Sequence, residues 1–586
     1  MPGGLVESVG RRATVLVDHL GYDARSPKAA VIATAGAHVA SVAVEPERGD
    51  AVAVDLPLGT PARVDAWSTA VFQRVDLTGL TEPGRYRLVA QVDGTRVASE
   101  VFEVGEHRIP SLVVSDVTAY FRSQRSSGEI ERKDAAARFY GDDSGRTVDA
   151  RGGWLDASGD YSKFLSHLTY TRTMSPQQIP LCAWALLTAG DELRRAHPDF
   201  ETSQYPRLRD EGLFGADFLV RFQAPEGYFY TGIFDALTKD LDERVINAPL
   251  QDSVRTQRWQ AAYRHGGGLA IAALALASTA DARGDFDAEA YLAAAIRGFD
   301  HLEEHNTEYL FDGEETVLDD YCALIAAAEL VRASRIAGAD VTRFAAAAQR
   351  RARALAARVR HDAADAAFLV ADSEGRPFFH AAEPGLPIVA LLRWADVLDE
   401  GGIADRVDDA RSARATAITL VEGILARTDA VDNPFGYPRQ LVQPVGGAAH
   451  DSFFFPHDNE TGYWWQGENA GISSIAFAAS RSALLDDCPE GTRDRLARLS
   501  ADITAWVGGL NPFDVCMLQG RGRANVEYSG VYQNSPGGIV NGITSGWGEE
   551  RGIAFLPADA PDGNEWRWAE QWIPHSAWFL LAVCAG

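Results

Sequence analysis

The sequence has little cysteine and little positive charge, and each shortage narrows the field. The five cysteines, Cys182, Cys322, Cys488, Cys516 and Cys584, stand far apart and form no C-x-x-C pair. That spacing offers neither a zinc site nor a disulfide framework. Several lie in apolar stretches such as LCAWAL and LAVCAG, which reads as buried free thiols in a reducing compartment. Lys and Arg number 55 against 82 Asp and Glu, a formal net charge of −27 over 586 residues. A surface that acidic repels phosphate backbones, so no nucleic-acid partner is expected. No apolar run reaches the roughly 18 residues of a membrane span. The opening stretch MPGGLVESVGRRATVLVDHLGYDA holds no apolar region of signal-peptide length. The expectation is a cytoplasmic protein with no membrane contact. No motif recurs at a fixed period, which argues against a solenoid.

What is present divides into two textures, and the length alone asks for more than one domain. Over residues 12–105 the chain runs in short Val-rich segments, among them ATVLVDHL, KAAVIATA, HVASVAVE, FQRVDLTGL, GRYRLVAQVDG and ASEVFEVG. Gly, Pro and Asp break them, and Pro83-Gly84 marks a turn before one of them. Short strands at this spacing predict a β-sandwich of immunoglobulin type. From residue 110 to 586, long Ala- and Leu-rich segments of helical period replace them, about twelve in number and several apolar nearly all round. Twelve helices without interleaved strands predict two concentric rings of six, an (α/α)6 barrel. The fold class expected is therefore an all-β module followed by an all-α domain. The loops between helices are rich in Trp, Tyr, Asp and Asn, and long loops on a rigid scaffold are where function concentrates.

Three loops carry chemistry. In Gly152–Phe164 (GGWLDASGDYSKF), Asp156 and Asp160 lie four apart beside Trp154. Such a pair can hold one water and take its proton, although Asp-rich turns also arise simply to bond nearby amides. In Gly563–His575 (GNEWRWAEQWIPH), Glu570 stands among Trp566, Trp568 and Trp572. Indole surfaces strip water from a carboxyl and raise its pKa, which suits a general acid, and their faces suit sugar rings. Glu565 is the rival acid in that segment. In Phe453–Asn469, His457, Glu460, Tyr463, Trp464, Trp465 and Glu468 mix aromatic faces with hydrogen-bonding groups, as a sugar pocket requires. Arg264-His265-Gly266-Gly267-Gly268 lacks the Lys and Ser/Thr of a phosphate loop. Asp319 and Asp320 are read as helix caps. The loop with Asp559, Asp562 and Asn564 lacks calcium-loop spacing, so neither a metal nor any other cofactor is expected.

At these residues the chain resembles glycoside hydrolase family 9. GGWLDASGDYSKF is similar to that family's GGWYDAGDYGKY signature, and the segment around Glu570 is similar to its NEVAIDYNA segment. LTEPGRYRLVA resembles the immunoglobulin-like module that precedes many of its catalytic domains, and NPFDVCMLQGRG resembles its Asn-Pro loop. The resemblance implies an inverting hydrolase with Asp160 as general base, Asp156 as its partner and Glu570 as general acid. Inversion needs acid and base about 6.5–9.5 Å apart to admit water. Two features depart from the family pattern: the Asp pair has one extra residue between its members, and the His-containing loop of the cellulases is replaced by Tyr532–Gly538. These departures resemble the family's exo-acting branch. The expected substrate is a short β-1,4-linked oligosaccharide losing glucosamine or glucose from its non-reducing end. An endo-β-1,4-glucanase and a non-catalytic sugar-binding protein are the alternatives. Trp154, Trp572 and the six residues named from Phe453–Asn469 are the expected substrate contacts.

Overall fold

The structure, a computed structural model, describes residues 13–48, 54–64, 66–401, 406–528 and 533–586. Arg12 and Tyr532, named above, lie outside them. Among the described residues nine strands come first: β1 (Ala13–Leu16), β2 (Tyr22–Asp23), β3 (Ala29–Thr34), β4 (Val39–Pro46), β5 (Val54–Asp55), β6 (Val71–Asp76), β7 (Gly84–Val92), β8 (Thr95–Ala98) and β9 (Phe102–Gly105). One sheet has the order β1-β3-β6 and the other β2-β9-β7-β4-β5, with β8 pairing β7. β1 runs antiparallel to β3 from Ala13 opposite Thr34 to Leu16 opposite Val31.

β3 reads AAVIAT with little polar alternation, and the packing gives the reason. Successive side chains of a strand point to opposite faces. Ala30 and Ile32 enter the sandwich core with Val15, Val75 and Leu88. Ala29 and Val31 face the other way, into the core of the helical domain, with Phe72 and Trp67. The Trp67 ring lies 4.7 Å from Phe453 and 5.8 Å from Trp506. Arg74 pairs with Asp502 at 2.6 Å and His19 with Asp514 at 2.9 Å across the same seam.

Twelve long helices follow among the described residues: α1 (Arg108–Gln124), α2 (Ile179–Ala196), α3 (Tyr205–Arg221), α4 (Gly267–Ala277), α5 (Ala288–His305), α6 (Val317–Ile336), α7 (Thr342–Ala357), α8 (Leu386–Asp399), α9 (Val407–Asp429), α10 (Asn469–Ala483), α11 (Glu490–Gly508) and α12 (Ile573–Ala585). The even-numbered helices touch in the cycle α2-α4-α6-α8-α10-α12 and back to α2. Each odd-numbered helix packs outside an inner one, α1 on α12, α3 on α2, α5 on α4, α7 on α6, α9 on α8 and α11 on α10. This is an (α/α)6 barrel. Sequence separates the rings. Every residue of α4 (GGLAIAALALA) and α12 (IPHSAWFLLAVCA) is buried, as a helix covered on all sides requires. α7 buries one stripe, including Phe344, Ala348, Ala352 and Leu355, and turns Arg343, Arg350 and Arg353 outward.

Asp319 caps α6 as expected: its carboxylate accepts the Thr316 N–H at 2.9 Å in a capping box. Asp320 does not cap. It pairs with Arg351 at 3.1 Å and Arg358 at 2.7 Å, because its place at the end of the first turn points it at α7 rather than at free amides.

Candidate active site

The loops leading into α2, α10 and α12 meet at the N-terminal ends of those inner helices. The Asp loop owes its shape to a buried cation. Lys163, fully buried, donates to the carbonyls of Ala150 at 2.7 Å and Gly152 at 2.8 Å and pairs with Asp134. Gly153 sits at φ +72°, and a Cβ there would press on the Phe218 ring at 3.0 Å, so only glycine fits. That turn sends Trp154 downward and Asp156 upward.

The loop is then stitched to the far end of the chain. The Ser158 N–H donates to the Gln571 carbonyl at 2.8 Å, and the Gln571 N–H returns a bond to Ser158 Oγ at 2.8 Å. The Ile573 N–H donates to the Asp156 carbonyl at 3.1 Å. Glu570 is fixed by its own carbonyl, which accepts the Asn541 N–H at 2.7 Å. The result is a cavity of about 480 Å³ lined by Asp156, Asp160 and Glu570 together with Tyr463, Trp464 and Trp572.

Asp156 is 6% exposed. Its Oδ1 accepts the Trp572 indole N–H at 3.1 Å and the Gln178 side-chain N–H. Asp160 accepts the Ser162 N–H at 2.8 Å. Burial drives all three carboxyls above the ordinary carboxylate range. For Asp156 the Asp160 charge adds to burial, against the Trp572 and Gln178 donors. For Glu570 the charges of Asp160 and Asp156 add to it, opposed by Asn541. Asp160 rises less, because Ser162 donates to it and Arg244 offsets burial and Asp235. Three acids that feel one another cannot all be ionised, so they share protons, and Asp160 is the group best supported as carboxylate.

Five of the expected substrate contacts do not line the cavity. Trp154 is buried beneath the Asp loop and donates to Glu211 at 2.9 Å. Glu460 accepts from the Arg172 N–H at 3.0 Å and from the Thr173 N–H and hydroxyl at 2.6 and 2.7 Å, tying two loops together. Glu468 is buried behind the wall, accepting the Phe455 N–H at 2.9 Å. His457 stacks on Trp465 at 3.6 Å between centroids and contacts Ser545 Oγ at 2.6 Å. Trp465 is in turn covered by Arg567, 4.1 Å from the ring. In each case a residue type suited to sugars is occupied by protein. Of the three indoles near Glu570, Trp566 and Trp572 line the cavity. Trp568 is buried and donates to Thr544 at 2.8 Å. Glu565 turns away to accept the Gly563 N–H at 3.0 Å.

Sequence reasoning passed over Gln178, His167, Tyr170, Gln466 and Arg567. His167 Nδ1 lies 3.0 Å from Gln178 Oε1. Because the Gln178 amide N–H faces Asp156, its oxygen faces His167, which puts the imidazole proton on Nδ1 and leaves Nε2 as an acceptor. Burial holds this histidine down at about 4, so it is neutral at physiological pH. The sequence signal for these residues is position alone: His167, Tyr170 and Gln178 lie between the Asp pair and α2, while Gln466 and Arg567 lie within the two aromatic segments already singled out. Among the described residues no three His, Cys, Asp or Glu side chains gather as a metal site.

A barrel of paired helices whose loops gather carboxyls and indole faces around one cavity suits a carbohydrate-cleaving enzyme, and the family match identifies the chain as a glycosyl hydrolase. It carries a glycosyl hydrolase family 9 domain, matched over residues 111–375, preceded by a cellulase N-terminal ig-like domain, matched over residues 11–95. No curated protein matches it. Several solved structures share its fold, among them the three that follow. One is a metagenome-derived glycoside hydrolase family 9 endoglucanase, 19% identical over 98% of each chain with a TM-score of 0.64. The second is the Bacteroides ovatus GH9 protein, 16% identical over 98% of each chain, TM-score 0.63. The third is the GH family 9 endoglucanase J30, 18% identical over 96% of this chain and 99% of that one, TM-score 0.63.

Proposed function

We propose that this hydrolase cleaves short β-1,4-linked oligosaccharides with inversion, releasing the terminal sugar at the non-reducing end. Asp160 takes a proton from a water that Asp156 helps to hold. The water oxygen attacks the anomeric carbon from one face while Glu570 protonates the departing glycosidic oxygen on the other. Asp160 ends protonated and Glu570 ionised, and exchange with solvent restores both. The observation that carries this reading is the meeting of all three acids in one aromatic-walled cavity. Its size suits a short oligosaccharide, and its indole faces suit sugar rings. The amine of glucosamine would want a carboxylate beside it; Glu460 and Glu468 do not line the cavity, whereas Asp156 does. The five buried, unpaired thiols suit a reducing compartment.

The second reading is endo-cleavage of a β-1,4-glucan, favoured by the likeness to two endoglucanase structures. Product analysis by NMR on a panel of β-1,4 disaccharides separates them. Monosaccharide appearing first as the α-anomer supports exo-cleavage with inversion. Cleavage confined to longer chains, with rapid loss of viscosity in soluble cellulose derivatives, replaces it with the endo reading. A first-formed β-anomer would overturn inversion.

A further inference from the structure

Four arginines are buried among the described residues: Arg244, Arg264, Arg427 and Arg567. Three of them face carboxylates. Arg244 pairs with Asp134 at 2.6 Å, Arg264 with Asp319 at 3.2 Å and Arg427 with Asp362 at 2.7 Å. Arg567 is the exception. It is 8% exposed and lines the cavity. Its Nε donates to Asn564 Oδ1 at 3.0 Å, and its Nη1 donates to the carbonyls of Tyr463 at 3.1 Å and Trp465 at 2.5 Å. The guanidinium lies 4.1 Å from the Trp465 ring and 4.5 Å from the Trp566 ring. Every one of these partners is neutral, and no acceptor among the described residues takes the Nη2 hydrogens.

A buried charge without a counter-charge is costly, and carbonyls and indole faces compensate only part of that cost. Burial accordingly lowers the guanidinium to about 10, with only the Tyr463 phenol opposing it. The charge is felt by Tyr463 and His457, and Arg567 is not among the groups that set the protonation of Asp156 or Glu570. A cation held rigidly in the wall of a substrate cavity, with one nitrogen unused, is arranged to receive an anion. Of the carboxylates that a cationic sugar could use, Glu460 and Glu468 are absent from that wall, and Asp156 stands in it already bonded to Gln178 and Trp572.

We propose that Arg567 is the recognition point for an anionic group on the substrate, so that the oligosaccharide cleaved here carries an acidic sugar whose carboxylate docks against the Trp566–Arg567 wall. This rests on the glycosidase reading above and names its substrate class. In a water-poor site, a charge-assisted bond from Nη2 discriminates strongly between a carboxylate and the neutral hydroxymethyl group at the same carbon.

The test uses the full chain and four matched β-1,4 disaccharides: neutral, uronate-bearing, sulfate-bearing and amine-bearing. The uronate sugar is expected to exceed the neutral one in kcat/KM by about 10- to 100-fold. Arg567→Met should collapse that ratio toward one, and Arg567→Lys should keep part of it. A merely structural role would lower the neutral and acidic substrates in equal proportion and overturn the inference, as would a neutral or amine-bearing sugar being preferred. Sulfate replacing carboxylate equally well would support the anion site and assign its source to a sulfated sugar. Calorimetric binding to Glu570→Gln protein reads the same site without turnover. Uronate bound no tighter than the neutral sugar overturns the inference whatever the hydrolysis result. Tight, Arg567-dependent uronate binding with no cleavage of any substrate keeps the anion site and defeats the glycosidase reading instead.

Discussion

Two segments rich in aromatic and acidic residues approach the cavity from neighbouring loops, 453–469 ahead of α10 and 563–575 ahead of α12. In the first, the acids serve the scaffold. Glu460 has both oxygens filled by the amides and hydroxyl of residues 172–173, and Glu468 sits in a dry interior with Oε2 unpartnered. In the second, Glu570 keeps its carboxyl at the cavity, short of donors and facing two other acids. What separates a reactive carboxyl from a structural one here is the combination of an unfilled oxygen and access to the cavity. Neither condition suffices alone, since Glu468 meets only the first.

The largest effect should come from Glu570→Gln. If this group delivers the proton, kcat on natural glycosides falls by about 10²- to 10⁴-fold. The loss should be far smaller on an aryl glycoside whose leaving group needs no protonation. Equal loss on both would assign the acid elsewhere. Next comes Asp160→Asn, with an expected fall of about 10²- to 10³-fold on natural and activated substrates alike.

A middling effect is expected from Gln178→Leu, about tenfold in kcat. The variant removes an N–H that stabilises ionised Asp156, so the Asp156 pKa rises further and the acid limb of the pH–rate profile moves to higher pH. A rate loss with an unmoved profile would reduce Gln178 to packing.

The smallest effect on activity should be that of Glu468→Gln, with kcat/KM within about threefold, since the side chain makes no contact with the cavity. Its stability signature is distinct. Burial raises the Glu468 pKa well above 4.5, so the folded chain holds a proton that the unfolded chain releases as pH passes 4.5. The native state therefore loses stability as pH rises through that window, and the variant does not. Thermal melts should show the variant gaining on the parent between pH 4.5 and 8. A gap independent of pH would mean that Glu468 is solvated as a carboxylate.

The barrel was legible because its two rings have different periodicities of burial. The inner helices α4 and α12 are apolar throughout, and the outer α7 is striped, so both kinds announce themselves without tertiary information. The two recognisable loops also placed Asp156, Asp160 and Glu570, which the structure brings into one cavity. Orientation was less readable. Trp154 precedes the Asp pair in sequence but points to the opposite side of a glycine turn, and that turn depends on Phe218 in a different helix. Arg567 carries no sequence signal of its own, because a sequence does not record which arginines lack a carboxylate. Gln178, as a neutral amide, acquires its role only when His167 and Trp572 close around Asp156.

The stitching of the Asp loop to the segment before α12 has a consequence in time. Asp156 and Trp572 are 416 positions apart in the chain. At synthesis rates of about 5–20 residues per second, the first acids leave the ribosome well before the indole that orients one of them. The helix that follows Trp572, α12, is also the one that closes the inner ring against α2. A growing chain therefore has no competent site at any stage. On the proposed mechanism, turnover begins only once α12 is made and the ring has shut, so a nascent chain, or one clipped before α12, should be inert.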